Sequence, residues 1–139
     1  MEDCVFCKIV KGELPSYKVY EDGHTLAFLD IGPVNYGHTL VIPKKHYVNM
    51  EEAPEKEVEK VIAAVKKVGK AIKEGLGADG YNICENNDPV AGQVVPHLHF
   101  HIIPRADGDG LALWPQGKYG DGEAEEALNK IKKAIINNS

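Results

Sequence analysis

The segment PHLHFHIIPR, residues 96–105, sets His97, His99 and His101 at every second position of an otherwise apolar run. Strand side chains alternate faces and advance about 3.3 Å per residue, so the three rings share one face at spacings of about 7 Å. Leu98, Phe100 and Ile102 fall on the other face. Such spacing does not favour convergence on one metal ion, since His97 and His101 stand about 13 Å apart at Cα on this geometry. Nucleophilic catalysis fits better. Free imidazole titrates near pH 6.5, so at neutral pH most rings are neutral nucleophiles while a fraction stays protonated and holds an anion. Just upstream, ENNDPVAGQVVPH supplies Asn86 and Gln93 as uncharged donors to phosphate oxygens, and Gly92 where backbone can approach a ligand closely. Neither a P-loop nor a G-x-G-x-x-G fingerprint occurs, which leaves the imidazoles as the best phosphate-binding groups.

Cys4 and Cys7 form a second reactive pair, C-V-F-C. A redox pair of this spacing belongs where a strand opens a helix in a βαβ unit, and this one stands at the N-terminal end of the sequence. Thiolates at this spacing supply half a tetrahedral zinc shell, and two more ligands must come from elsewhere. Cys84 in YNIC reads as a buried small residue and His24 in EDGHT as a turn residue.

These side chains need a frame. TLAFLD, flanked by DGHT and IGPVNYGHT, and TLVIP read as strands of an antiparallel meander, and GYNICEN and HLHFHIIP add two more. After Pro54 the period changes, with Val58, Val61, Ile62, Val65, Val68, Ile72 and Leu76 recurring at intervals of three and four. That stripe predicts an amphipathic helix from about Pro54 to Glu74, with Gly75 or Gly77 as its C-terminal cap. From Gly122 to Asn137, Glu123, Glu125 and Glu126 precede Lys130, Lys132 and Lys133, an order that complements a helix dipole. The expected fold is α+β: an antiparallel sheet of about five strands with a long helix on one face, and a C-terminal helix. Leu98 and Phe100 would pack under the long helix and leave the histidines on the open face.

The 139 residues, 43% hydrophobic and 27% charged, predict a single folded domain over residues 1–139. Sixteen Lys and Arg against 21 Asp and Glu give a net charge of −5, so no basic field is present to hold nucleic acid. No run approaches 18 apolar residues, and MEDCVFCKIV lacks the basic start and apolar core of a signal peptide. The expectation is a cytoplasmic protein with no membrane partner, consistent with an odd cysteine count.

The run HLHFHII matches His-φ-His-φ-His-φ-φ, where φ is apolar. CVFCKIVKGELPSYKVYED, TLAFLDIGPVNYGHTLVIPKKH, the long helix and AGQVVPHLHFHIIPR follow in the order typical of the histidine-triad nucleotide-binding (Hint) branch. Over nearly its whole length the chain resembles the histidine-triad (HIT) family. The resemblance implies a HIT-like fold, a homodimer whose sheets join, and a nucleotide hydrolase or phosphoramidase acting at the α-phosphorus of a purine nucleotide such as AMP or its phosphoramidate. It implies that His99 attacks phosphorus to form a nucleotidyl-histidine, which water cleaves to a nucleoside monophosphate. By position, Asp30 would bind the ribose hydroxyls, Ile31 would line the base or sugar pocket, and Asn86 and Gln93 would hold the α-phosphate. His101 would donate to phosphate oxygens, with His38 in support. Zinc would be completed by His46 of PKKH and His97 beside Cys4 and Cys7, a closed shell and therefore structural. Val94 stands where relatives often carry Ser or Thr, which removes a hydroxyl from the phosphate or leaving group; no general acid is assigned. Two alternatives keep the fold, a non-catalytic nucleotide-binding or scaffold module and a dinucleoside polyphosphate hydrolase. Transferases of the galactose-phosphate type carry two such units, and this chain has room for one.

Overall fold

Apolar residues set between turns form five strands: β1 (Lys18–Glu21), β2 (Thr25–Leu29), β3 (Thr39–Pro43), β4 (Gly80–Glu85) and β5 (Phe100–Arg105). In the computed structural model, which describes residues 3–138, they make one antiparallel sheet in the order β1-β2-β3-β5-β4. The chain packs as two compact units, residues 1–109 and 110–139. In the first unit a long helix, α2 (Glu55–Leu76), leaves β3 and delivers β4 two positions away, and β5 returns into the gap between them. The histidine segment is thereby central, with Leu40 and Cys84 opposite His101 on its two neighbours.

Helix α2 follows from its stripe: Val61, Ala64, Val65, Val68, Gly69 and Ile72 are buried, and Ile62 and Leu76, which share the sequence stripe, are exposed at its edge. Pro54 is its N-cap and Gly77, at φ 66°, closes it in the left-handed conformation that glycine adopts without a Cβ clash. Its buried side packs on Ala27, Val41, Leu98, Phe100 and Ile102 in one apolar cluster.

The expected open face is covered. Residues Val5–Val10 form a short helix, α1, with Cys4 as N-cap: the Cys7 N–H donates to Cys4 Sγ at 3.4 Å. Phe6, Cys7 and Ile9 of this helix, with Cys4, pack on Leu26, Phe28, Leu40 and Ile42 of the second sheet face. Phe6 meets the rings of His97 and His99 edge to face, with centroids 5.8 and 5.1 Å away. The histidine face is therefore an interior, and His97 is completely buried.

His97 and His99 also precede β5, which starts at Phe100. The Leu98 N–H leaves the ladder to donate to the Tyr47 carbonyl at 2.7 Å, although the alternation of side chains between faces persists through the segment.

In the second unit, α3 (Glu123–Asn138) starts with Glu123, Glu125 and Glu126 in its first turn, and Gly120 N–H donates to the Glu123 carboxylate. None of its described residues is buried, and Leu128, Ile131 and Ile135 are exposed. Among the described residues no helix is long and apolar enough to cross a membrane.

Leu98 is fully buried between α2 and the sheet while its neighbours carry the chemistry. Leu98→Ala is expected to lower the free energy of unfolding by about 2–5 kcal/mol, read from urea denaturation.

Candidate active site and metal centre

A ring nitrogen facing a carbonyl oxygen must carry the proton, because that oxygen only accepts. His99 Nδ1 lies 2.7 Å from the carbonyl of His97, so Nδ1–H donates to it and the lone pair is left on Nε2. His97 Nε2 lies 2.9 Å from the Pro43 carbonyl at the end of β3, so the lone pair of His97 is on Nδ1. In the third pair, the Val34 N–H donates to His38 Nδ1 at 3.0 Å, leaving the proton on Nε2. That proton is shared with His101 Nδ1 at 2.9 Å, which puts the remaining N–H of His101 on Nε2. Backbone groups of Pro43, His97 and Val34 thus set the tautomers of four imidazoles.

Those tautomers separate two groups of residues whose donor atoms could hold a metal ion. Cys4, Cys7, His46 and His97 bring four donor atoms within 4.8 Å of one another. Sγ of Cys4 and of Cys7 lie 3.4 and 3.6 Å from His97 Nδ1, and Cys7 Sγ lies 3.3 Å from His46 Nδ1. A tetrahedral zinc with bonds of about 2.3 Å to sulfur and about 2.0 Å to nitrogen has S···N edges of about 3.5 Å, so the cluster fits. The second nitrogen of His97 is bound to a carbonyl, as metal-ligating imidazoles require. Burial pushes the Cys7 thiol up, followed by its bond to Cys4, so a cation is needed to hold Cys7 as a thiolate. Asp30, His38 and His101 also lie within 4.8 Å of one another. There a metal on His38 Nε2 would force a proton onto Nδ1, against the Val34 N–H, so this trio is built to share a proton.

His99 and His101 open on a pocket of about 500 Å³ with Phe6, Ile9, Phe28 and Leu40 among its apolar walls. Asp30, Ile31, Gly92 and Val94 also line it. Asp30 has two roles, Oδ1 accepting from the Gly32 N–H at 2.8 Å in the turn, and Oδ2 lying 3.7 Å from His38 Nε2. At Gly92, φ is 102° and a Cβ would come within 3.4 Å of Asn86 Nδ2, so the two residues lie side by side. Gln93 is placed differently from the expectation that it holds phosphate. Its carboxamide is buried and bound to backbone, accepting from Asp88 N–H at 2.8 Å and donating to the carbonyls of Val48 and Val95 at 2.6 and 3.2 Å.

The expected protonated fraction on the triad is also corrected. Burial pushes His101 down to about 4, with the neighbouring His99 and His38 adding to it and Asp30 opposing. His99 and His38 are lowered for the same first reason. At neutral pH the site holds neutral rings, and anions meet N–H dipoles here. Four groups escaped the sequence reading: Phe6, Val34, Pro43 and α1 itself. Only Phe6 left a trace, as the apolar residue inside C-V-F-C.

The HIT domain model matches residues 11–108. An uncharacterized HIT-like protein of Methanocaldococcus jannaschii is 54% identical over 93% of this chain and 98% of its own. Adenosine 5'-monophosphoramidase hnt1 of Schizosaccharomyces pombe is 44% identical over 93% of this chain and 98% of its own. Adenylylsulfatase HINT3 of Arabidopsis thaliana is 46% identical over 81% of this chain and 56% of its own. Among solved structures, a Streptococcus mutans protein superposes with a TM-score of 0.92 at 42% identity, over 97% of this chain and 87% of that one. A Zn-bound histidine triad family protein from Mycobacterium smegmatis gives 0.77 at 39% identity, over 96% and 98%.

The thiol–imidazole cluster should take one cobalt(II) per chain with sulfur-to-cobalt charge-transfer absorption, and Cys7→Ser should lose that band. Because His101 is more acidic folded than unfolded, its contribution to stability is complete above about pH 6.5 and is lost as pH falls toward its folded value of about 4. Imidazole ¹⁵N shifts over that range should show His101 still neutral at pH 6.

Proposed function

Because the chain belongs to the HIT domain family, we propose that it is a nucleotide hydrolase or phosphoramidase using His99 Nε2 as nucleophile on the α-phosphorus of a purine nucleotide such as AMP phosphoramidate. The observation that carries this reading is the 2.7 Å bond from His99 Nδ1–H to the His97 carbonyl, which aims an unprotonated nitrogen at the pocket. Supporting it, relatives carry the names adenosine 5'-monophosphoramidase and adenylylsulfatase.

The apolar walls take the base, with Ile31 at the rim, and Asp30 Oδ2 accepts from the ribose hydroxyls. Asn86, the backbone at Gly92 and Val94, and His101 Nε2–H face the α-phosphate. As Nε2 of His99 forms its bond to phosphorus, the bond to the leaving group breaks and charge develops on the phosphoryl oxygens. The neutral His101 donor stabilises that charge, held in this tautomer by the N–H that His38 Nε2 donates to its Nδ1. Water then attacks the nucleotidyl-histidine from the vacated side, and the electron pair returns to Nε2. Val94 offers no hydroxyl, so protonation of the leaving group falls to another donor.

Cys4, Cys7, His46 and His97 hold zinc in this reading. The ion supplies no chemistry with its four positions filled; the residues themselves tie the N-terminal helix to the segment carrying the nucleophile. A homodimer is supported by the outer edge of β4, which pairs only with β5 among the described strands.

His99→Gly should abolish turnover of an adenylyl phosphoramidate while AMP binding stays measurable. Two in-line displacements give net retention at phosphorus, whereas direct attack by water inverts it. A chiral-phosphorus substrate turned over with inversion would falsify the covalent role of His99.

A further inference from the structure

The loop from Asn86 to Val95 carries Gly92, Val94 and Val95 of the pocket wall, and it holds its shape against local preference. Asp88 has φ 77° and ψ 150°, a left-handed extended conformation that a residue with a side chain rarely adopts. The next residue is Pro89, which starts a single 3-10 turn ending at Gly92. The Asp88 carbonyl accepts from the N–H groups of Ala91 and Gln93 at 3.0 and 3.2 Å, and the Asp88 N–H is bound by the Gln93 side chain. One residue therefore holds both polar groups of the strained peptide position.

The same side chain ties the loop to a separate segment. Gln93 Nε2 donates to the Val48 carbonyl, Asn87 Oδ1 accepts from the Met50 N–H at 2.9 Å, and Leu98 N–H donates to the Tyr47 carbonyl. All three attachments fall on residues 47–50, directly after His46. Gln93 makes three of the four hydrogen bonds open to a carboxamide, and all three are to backbone. Its neighbours Gly92 and Val94 line the pocket, and Gln93 does not.

We propose that Gln93, assisted by Asn87, is a positioning residue for the phosphate site: it locks the backbone of residues 88–94 so that Gly92 and Val94 of the pocket wall, with Asn86 beside Gly92, meet the α-phosphate without rearranging. The inference rests on the reading that this pocket takes a nucleotide. It also explains why the chemistry demands glutamine. Glutamate has the same shape but no donor, so it would set a carboxylate against the carbonyls of Val48 and Val95. Methionine fills the space and makes none of the bonds.

The test is titration calorimetry of AMP and of adenosine into the zinc-loaded full-length protein, comparing wild type with Gln93→Met, Gln93→Glu and Asn87→Ala, with thermal denaturation to confirm folding. Ribose and base contact other walls, so AMP affinity should fall by about tenfold or more in both Gln93 variants while adenosine affinity stays within about twofold. Asn87→Ala should shift the ratio of AMP to adenosine affinity the same way by a smaller factor. Retention of the wild-type ratio in the Gln93 variants, or its recovery in Gln93→Glu, overturns the proposal. A wild-type ratio in Asn87→Ala with loss only in the Gln93 variants points to direct phosphate contact, and overturns it too. Wild-type protein that binds AMP no better than adenosine refutes the nucleotide reading itself, and the inference falls with it.

Discussion

His97 joins the parts of this molecule that have no other reason to meet. A neutral imidazole has one donor and one acceptor, and here the donor is held on the Pro43 carbonyl at the end of β3 while the acceptor faces the two thiols. Its main-chain carbonyl then takes the proton of His99 Nδ1. The N-terminal helix, the third strand and the His99 ring are thus referred to one buried residue. If His97 took the other tautomer, its lone pair would oppose the Pro43 oxygen and its N–H would face the thiols. The three-histidine pattern therefore divides by environment: one ring sits among the two thiols, one presents an unprotonated nitrogen beside the pocket, and one shares a proton with His38.

The apolar lid makes that division work. Phe6 and its neighbours in α1 remove water from His97 and His99, and burial is the first cause of the lowered proton affinity of each triad ring. A desolvated lone pair is available at neutral pH, and each N–H dipole acts in a medium that screens it poorly. Proton sharing between His38 and His101 follows from the same rule of complementary donors, because the Val34 N–H leaves His38 one nitrogen to donate from. The pair of thiols is the converse case: burial raises Cys7, and an ion of opposite sign is what makes the cluster sensible.

Chain topology supplies the precision that these contacts need. Helix α2 carries the chain past the position that β5 later fills, so the histidine segment enters a slot with partners already on both sides. Leu98, Phe100 and Ile102 anchor its other face in the core under α2. His99 thus stands directly before a central strand, and Gly92 and Val94 of the pocket wall stand on a loop braced against the segment that follows His46.

Much of this was legible in local pattern. The alternation of HLHFHII specified two faces, the three-and-four spacing after Pro54 specified α2 to within two residues at its C-terminal end, and C-V-F-C asked for two further ligands. These signals are periodic or compositional, so a linear reading recovers them. Helix α1 has six residues, too few to show a period, and its cysteines drew attention as ligands when one of them is also its cap. Gln93 looked like a phosphate donor because its type permits that, but the direction of its carboxamide is set in part by the Val48 carbonyl, 45 residues away in the chain. The residues determined which chemistry was possible. Only the tertiary structure decided which nitrogen holds each proton, which face is dry and which way the Gln93 amide turns, because each depends on where the backbone folds, in part on partners far away in sequence such as Pro43 for His97 and Val48 for Gln93.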